Sequence, residues 1–331
     1  MLLSRHTRRR EFIALLGRTA VAWPLAARAE QKVWKVGILT AVSRETFSGL
    51  NAAFLKGMRE LGHIEGNDFI VEWRSAEEHY ERYPELIAEL IASKVDVIVS
   101  ASSPAYHALQ RATNTIPIVM VYMTDPVGNG FVASLKHPGG NITGLASATN
   151  DTAPKQVELL STVVPNMAHL GLLGNPASSA YLPIRKSVEA TAAKSNLSVE
   201  VVEARSPQEI NGAFQTFKTA GVQAFVVAGD PVFFNERDQL AQLALHNRLP
   251  SMFSQREYTT AGGLMSYGEN LSDFYYRAAA FIDKVFKGAK PSDIPVEQPT
   301  HFHLVINRKT ADALALTIPS QLYIFADELI E

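Results

Sequence analysis

The chain has 331 residues, of which 47% are hydrophobic, and its basic and acidic side chains nearly balance, for a net charge of −2. It contains no cysteine, which excludes disulfides, a thiolate nucleophile, a cysteine metal site and a lipid anchor on an N-terminal cysteine. The apolar content and the absence of low-complexity tracts predict a folded chain long enough for two domains.

The first 29 residues predict a signal peptide for export. Three consecutive arginines precede an apolar run over 12–27, and Ala27-Arg28-Ala29 fits the small-residue pattern at which such signals are cleaved. The run contains Pro24 and is shorter than the ~20 apolar residues of a membrane-spanning helix. Arg9-Arg10-Glu11-Phe12-Ile13 partly matches the twin-arginine export motif, so both the twin-arginine and the general secretory route stay open.

Cleavage near Ala29 predicts a soluble periplasmic protein without a membrane anchor. It removes six arginines and one glutamate, which leaves 25 basic and 32 acidic residues and a net charge of −7. A mildly acidic surface disfavours nucleic acid or an anionic membrane as a partner.

After the leader, short β-branched runs alternate with amphipathic helical patterns. Strands are predicted at 36–40, 69–73, 95–99 and 116–122, with helices over 47–61, over 83–94 and after Ser102-Ser103-Pro104. The last strand is almost wholly apolar, which is typical of parallel strands buried on both faces. The alternation predicts a doubly wound α/β sheet.

The same scheme begins again after Pro138-Gly139-Gly140-Asn141, which predicts a second, similar lobe. Its strands are expected at 170–173, 199–203 and 224–228, followed by a strand at 263–267, a long helix over 271–287 and a strand at 303–306. We interpret this tail as the chain crossing back between lobes. The predicted lobes are 33–143 with about 268–297, and 144–267 with about 298–331, joined by a hinge of several segments, the first at 142–146.

Two motifs suggest other chemistry but are better explained structurally. Gly128-Asn129-Gly130-Phe131-Val132-Ala133 satisfies a dinucleotide fingerprint, but it lies near the fourth strand instead of the first, and we interpret the glycines as relieving a tight helix entry. His301-Phe302-His303 puts two imidazoles on one face of a strand, but no further ligand is near in sequence, so no metal site is predicted. Motifs for hydrolases, zinc proteases and phosphate loops are absent, and no catalytic residue or cofactor is predicted.

Polar and aromatic residues follow the predicted strands. In a parallel α/β sheet, ligands bind beyond the carboxyl ends of the strands, where helix N-termini offer free N–H groups. Serines at a helix entrance suit a carboxylate, aspartates suit an ammonium group, and aromatic rings suit an apolar ligand body. The predicted ligand-binding residues are Thr40, Ser102, Ser103, Tyr122, Thr124, Asp125, Asn175, Asp230, Phe233 and Tyr267. Helix capping, turn formation and core packing are the competing roles for these residues, and Phe234 is assigned to the core.

Several stretches of the chain resemble one known family. They lie at 57–77, 115–144 and 288–319 and include TIPIVMVYMTDPVGNGFVASLKHPGGNITG and AGGLMSYG. In these stretches the chain resembles the exported substrate-binding proteins of ABC transporters that are related to tryptophan- and tyrosine-binding proteins. The resemblance implies two flavodoxin-like, Rossmann-like lobes with parallel sheets, the type I periplasmic binding protein fold. It also implies a small-molecule ligand delivered to a membrane permease. Met120, Met123 and the pair Phe233-Phe234 depart from the residues expected in this family and leave the ligand open.

The expected protein is therefore a monomeric solute-binding component of an importer, with an aromatic or branched-chain amino acid or a related carboxylate as ligand. Two alternatives remain at this point. One is an exported enzyme of the same fold, with Asp125, Asp230 and Tyr267 as acid, base or orienting groups. The other is a sensor that presents its ligand to a membrane receptor.

Overall fold

The computed structural model describes residues 32–77, 79–178, 180–298 and 301–331. The predicted signal peptide at 1–29 lies outside these residues. Within the described ranges, no helix is both long and apolar enough to cross a membrane.

The first lobe is built on a five-stranded parallel sheet in the order β2-β1-β3-β4-β5. The strands from the third to the fifth in chain order are almost wholly buried, as apolar runs in the sequence predict, whereas the second, at the edge of the sheet, is mostly half-buried. The strands are β1 (Trp34–Thr40), β2 (Phe69–Ser75), β3 (Val97–Ser100), β4 (Ile118–Thr124) and β5 (Ile142–Ser147). The helices between them are α1 (Ser48–Glu60), α2 (Tyr83–Ala92) and α3 (Ser103–Ala112), with a short 3₁₀ turn at Tyr80–Arg82.

The second lobe contains a seven-stranded sheet in the order β12-β11-β10-β9-β8-β6-β7. All of its pairs are parallel except β10 with β11, which is antiparallel. The strands are β6 (His169–Gly174), β7 (Ser198–Glu203), β8 (Ala224–Val227), β9 (Ser251–Phe253), β10 (Met265–Gly268), β11 (His303–Asn307) and β12 (Glu328–Ile330). The remaining helices are α4 (Thr149–Val163), α5 (Tyr181–Lys194), α6 (Pro207–Ala220), α7 (Pro231–Asn235), α8 (Arg237–His246), α9 (Arg256–Thr260), α10 (Leu271–Phe286), α11 (Arg308–Ala313) and α12 (Ser320–Phe325), with a second 3₁₀ turn at Pro291–Asp293. The prediction of two doubly wound α/β lobes is confirmed.

Helix α10 comes late in the chain but packs on the first lobe. Its backbone approaches α1 so closely that a Cβ on Gly57 would lie 2.3 Å from the Tyr276 carbonyl oxygen. At the far end of the helix, Phe286 stacks on Trp34 with ring centroids 4.5 Å apart. The chain therefore crosses from the second sheet back to the first lobe after β10, as the tail of the sequence predicts.

The connections between the lobes differ in detail from the predicted hinge. Residues 142–146, expected to be the first hinge segment, lie within β5 and are buried, so the first crossing follows Ser147. The buried carboxylate of Glu269, which follows β10, accepts hydrogen bonds from the Ser147 hydroxyl and, at 3.0 Å, from the Ala148 N–H. Two of the crossing segments are thus held together by one side chain.

The glycines of the 128–133 motif form a turn, and no helix begins there. Gly128 donates its N–H to Asp125 Oδ1 at 2.8 Å, and a Cβ at this position would lie 2.1 Å from the same carboxylate. Gly130 has a φ of 72°, a conformation that favours glycine. The helix entry expected from sequence is therefore wrong, because Asp125 organises these residues as a turn.

A charged cluster fastens the end of α1 to α10. His63 lies between two carboxylates, with Nδ1 at 2.6 Å from Asp68 Oδ2 and Nε2 at 3.1 Å from Asp283 Oδ1. Lys287 donates to the other oxygen of Asp283 at 2.8 Å. Burial opposes charge on the imidazole, but the hydrogen bonds to the two aspartates outweigh it and raise the pKa of His63 above 6.5. Burial also opposes charge on the aspartates, and their bonds to His63 and Lys287 hold the pKa of each below 3.8.

Replacing His63 with glutamine is expected to remove pH-dependent stability. The raised pKa of His63 stabilises the fold below about pH 6.5 and loses that contribution as the pH rises through the folded value. The lowered pKa values of Asp68 and Asp283 stabilise it above about pH 4 and are lost on further acidification. Urea unfolding should therefore give a difference of about 1–2 kcal/mol between wild type and variant near pH 5.5, shrinking toward pH 9 and pH 3. A difference constant with pH would contradict this, and the exposed His246→Gln is the control.

Candidate functional site

A cleft between the two lobes lies at the carboxyl ends of both parallel sheets. The space between its walls amounts to about 780 Å³, a volume that includes the open solvent at the mouth of the cleft. The first lobe contributes residues that end or follow β1, β3 and β4, and the second contributes the loops after β6, β8 and β9. Helix α10 adds Leu271 and Tyr275. This is where the βα topology is expected to place a ligand.

The structure brings six of the ten predicted ligand-binding residues to this cleft. They are Thr40, Ser102, Ser103, Tyr122, Thr124 and Asp230. The other four lie elsewhere. Asn175 is buried behind Asp230 and hydrogen-bonds it, whereas Asp125 lines a separate depression that shares Thr124 with the cleft. Tyr267 contacts Phe302 on the second lobe, and Phe233 is 0% exposed in the core.

Asp230 is the electrostatic centre of the cleft. Its Oδ1 accepts three hydrogen bonds, from Asn175 Nδ2 at 3.0 Å, from the Val232 N–H at 3.0 Å and from the Tyr80 hydroxyl at 3.1 Å. Burial raises the pKa of Asp230, although these hydrogen bonds oppose the shift. Among the described lining residues it is the one acid, and they include no lysine, arginine or histidine. A cationic group of a ligand would therefore find a desolvated carboxylate already oriented by its neighbours.

Hydroxyl groups surround the entrance of α3 on the first lobe. Ser102 is the residue before the helix, yet its side chain makes no capping hydrogen bond. The Ser102 Oγ and the Tyr83 hydroxyl are buried, at 3% and 1% residue exposure, and they interact with each other, but neither makes a hydrogen bond of good geometry to any described residue. Burial raises the pKa of Tyr83, so its phenol stays a proton donor. Together with the free N–H groups of the first helical turn, these donors suit a carboxylate.

The remaining walls are apolar and aromatic. Phe47 and Leu50 come from the start of α1, and Phe234 comes from α7. Tyr122 lies at a register shift between β4 and β5 and has a φ of 59°, an unusual value for a tyrosine. Its ring meets that of Phe274 edge-on, at 5.1 Å between centroids. The bulge turns a side chain of a central strand toward the ligand space, which an unbroken strand would not do.

A family model described as ABC transporter substrate binding protein matches residues 35–330 of the chain. The chain belongs to this family of substrate-binding proteins. A curated relative, a tyrosine-binding protein of Clostridioides difficile, is 25% identical over 301 residues, which cover 90% of this chain and 86% of the relative. The resemblance inferred from the sequence is confirmed. The family and its relatives are solute-binding proteins rather than enzymes.

Solved structures agree with this assignment. An ABC domain from Streptococcus pneumoniae in complex with L-Trp has a TM-score of 0.83 at 28% identity, and the match covers 90% of this chain and 100% of the pneumococcal chain. An ABC transporter solute-binding protein from Bacillus halodurans with bound myo-inositol has a TM-score of 0.59 at 13% identity and covers 87% of this chain and 99% of that chain. The fold is that of the type I periplasmic binding proteins.

In this substrate-binding protein, hydrogen bonds join the two lobes across the cleft. The Tyr80 hydroxyl of the first lobe donates to Asp230 of the second. Thr46 Oγ1, also from the first lobe, donates to Asn235 Oδ1 at 2.8 Å. The lobes are therefore in contact, and Asp230 takes part both in lining the cleft and in holding it together.

The sequence did not identify several cleft residues of this substrate-binding protein. Phe47, Leu50 and Tyr275 lie on helices whose patterns indicate only a buried face, and no local signal separates a core position from a cleft position. Phe234, which the sequence assigned to the core, lines the cleft, whereas its neighbour Phe233 does not. The orientation of a five-residue helix, α7, decides which of the two rings faces the ligand space.

Proposed function

We propose that this protein is the exported solute-binding component of an ABC importer and that it binds an aromatic or branched-chain amino acid, or a related carboxylate, in the cleft. The observation that carries the proposal is a cleft in which one buried acid, Asp230, shares the lining with apolar walls and with the hydroxyls of Ser102 and Ser103 at the start of α3. The relatives support the ligand class, since one is named a tyrosine-binding protein and another contains L-Trp.

The cleft offers a place for each part of an amino acid. The ammonium group would pair with Asp230, whose Oδ1 bonds leave the carboxylate fixed in position. The carboxylate would accept hydrogen bonds from Ser102, Ser103 and the first-turn N–H groups of α3. The side chain would pack among the rings, while Thr40, Tyr122 and Thr124 complete the polar lining.

Ligand contacts to both lobes would stabilise the closed arrangement. An open form exposes Asp230 and the α3 entrance to water on separate lobes, whereas a bound ligand bridges them and shifts the population toward closure. The Tyr80 contact to Asp230 belongs to the closed state and would form together with the ligand contacts. A membrane permease would then recognise the closed protein and receive the ligand.

The leader supports a periplasmic location. The arginines and apolar run of residues 1–29 predict export by the twin-arginine or the general secretory route, with cleavage near Ala29. The proposed mature protein is a monomer that acts without a cofactor. Its partners are the small-molecule ligand and the permease.

The test is a thermal-shift screen on residues 30–331, stripped of bound ligand by partial unfolding. A ligand present at about 100 times its Kd should stabilise the fold by about 2.7 kcal/mol, which raises the Tm by a few degrees. Aromatic and branched-chain amino acids are expected to give this shift and to leave the assay chemically unchanged by mass spectrometry. The absence of any shift would refute the ligand class, and conversion of the compound would favour an enzyme.

A further inference from the structure

Two histidines and one aspartate come together at the edge of the second sheet, away from the cleft. Each of His301, His303 and Asp327 offers one ligand atom, and these atoms all lie within 4.8 Å of one another. The sequence places the two histidines on one face of a strand but gives no third ligand. The third is 24 residues further along the chain and reaches the site through the pairing of β11 with β12.

The strand pairing fixes the aspartate in place. Asp327 immediately precedes β12, and its N–H donates to the Leu304 carbonyl at 2.9 Å. In return the Leu304 N–H donates to Asp327 Oδ2 at 2.8 Å. Oδ1 lies 3.9 Å from His303 Nδ1. A ligand carboxylate whose second oxygen is held by a backbone N–H is typical of metal sites, because that bond orients the coordinating oxygen.

The two imidazole rings lie close together, with centroids 4.3 Å apart and planes at 88°. Only His303 is part of β11, since the strand begins there and His301 precedes it. His301 is exposed, and the side chains of His303 and Asp327 are 29% and 38% exposed. Small rotations of exposed side chains therefore suffice to change the spacing of the ligand atoms.

We propose that His301, His303 and Asp327 bind a divalent first-row transition metal, with zinc as the reference ion. At bond lengths of about 2.0–2.2 Å, tetrahedral ligand atoms lie ~3.4 Å apart. The 3.9 Å between His303 Nδ1 and Asp327 Oδ1 exceeds that spacing by about half an ångström. Two ligand atoms at the 4.8 Å limit of the cluster would have to approach each other by ~1.4 Å. Two imidazoles and one carboxylate suit zinc, nickel, copper or cobalt better than magnesium or calcium, which prefer oxygen ligands. Three protein ligands leave a coordination position for water.

The neighbouring ion pair explains why Asp327 is a proposed metal ligand and Glu328 is not. Glu328 follows Asp327, but Arg256 binds both of its oxygens, through Nε at 3.0 Å and through Nη2 at 2.5 Å. That ion pair occupies both carboxylate oxygens of Glu328 and keeps them from coordinating a metal. None of the three proposed ligands lines the cleft, so the site is independent of the amino-acid proposal.

A metal here would act on the connection between the lobes. The chain leaves the first lobe after Glu297, whose N–H bonds the Gly144 carbonyl beside β5, and reaches the second sheet at β11. His301 belongs to this segment, whereas Asp327 belongs to the second lobe. Bound metal would therefore tether the crossing segment to the edge of the second sheet.

The test is isothermal titration of ZnCl₂ into the full chain, purified without a histidine tag, with Co²⁺ absorption to report the ligand geometry. One zinc per chain is expected, with the affinity lowered at least ten-fold in Asp327→Asn and lost in the His301→Ala/His303→Ala double variant. His246→Ala, which removes an exposed histidine of α8, should bind as wild type. Equal melting temperatures without metal would show that the variants remain folded.

Zinc binding that survives the double variant, or wild-type binding no tighter than ~100 μM, would overturn the proposal. A tetrahedral cobalt spectrum that disappears in the double variant would support it. Amino-acid binding in the cleft can be measured separately in the presence of a chelator, so failure of the metal site leaves the proposed function untouched, and the reverse also holds.

Discussion

Replacing Asp230 with asparagine is expected to weaken amino-acid binding by on the order of 100-fold while the protein stays folded. All three hydrogen bonds to Asp230 end on Oδ1, and the donors are an amide, a backbone N–H and a phenol. An asparagine Oδ1 can accept the same three bonds, so the substitution removes charge and little else. Because the carboxylate is buried, loss of its charge should leave the free energy of unfolding unchanged or higher.

The pH dependence gives a second measurement on the same variant. Burial raises the pKa of Asp230, so wild-type affinity for a cationic ligand should fall as the pH drops through that raised value. The asparagine variant should show no such fall over the same range. Calorimetric titrations between pH 4 and pH 8, with the amino acid that gives the largest thermal shift, would measure the affinity of the wild type and of the variant at each pH.

Asp125→Asn is the matched control for Asp230→Asn. Asp125 is the other aspartate that the sequence proposes for an ammonium group, but it lies in a separate depression and accepts the Gly128 N–H. Its φ of 45° suits asparagine, so the control should fold normally. Equal losses of affinity in both variants, or none in Asp230→Asn, would contradict the assignment of the ammonium site.

Replacing Phe233 with alanine is expected to cost about 3–5 kcal/mol of stability, a large part of the ~5–15 kcal/mol typical of a folded domain. The ring is 0% exposed and packs in the core, so its removal leaves a cavity. Affinity measured on the folded protein should change less than three-fold. Urea unfolding with and without ligand separates the two effects.

The neighbouring Phe234→Ala is expected to behave differently. Phe234 lines the cleft, meets Tyr258 edge-on at 6.0 Å between ring centroids and has the Arg237 guanidinium 5.3 Å from its ring centroid. Its removal should lower affinity about ten-fold, equivalent to ~1.4 kcal/mol, with a smaller loss of stability than at Phe233. A larger loss of affinity in Phe233→Ala than in Phe234→Ala would mean that α7 presents the opposite ring to the ligand.

Local sequence patterns predicted most of the strands and helices, but they indicated little of how these elements pack against one another. The apolar run ending at Tyr122 predicts a buried strand, and β4 is one, yet the run does not indicate the bulge that turns Tyr122 toward the cleft. Residues 142–146 were predicted to form the first segment of the hinge. They form β5 instead, because hydrogen bonds to β4 complete the first sheet.

The residues of the candidate site also fall into those that the sequence predicts and those that only the packing reveals. Thr40, Ser102 and Asp230 could be predicted because each lies where a strand ends, and parallel topology places such ends at one edge. Leu50 and Tyr275 could not, since their helical positions look like core positions and only the packing of distant segments brings them to the cleft. Tyr267 follows the same strand-end rule, yet its ring contacts Phe302 and does not line the cleft.

The sequence by itself determined the class of the protein, with two α/β lobes and a family of substrate-binding proteins, and it identified strand-end residues of which six line the cleft. Periodicity and turn chemistry are local, so they are visible in a single chain. Only the tertiary structure decided which side of α7 faces the cleft, that one carboxylate lies there without a basic partner among the described lining residues, and that Asp327 reaches His301 and His303. These features depend on contacts between segments far apart in sequence, and burial and charge pairing arise only when those segments pack.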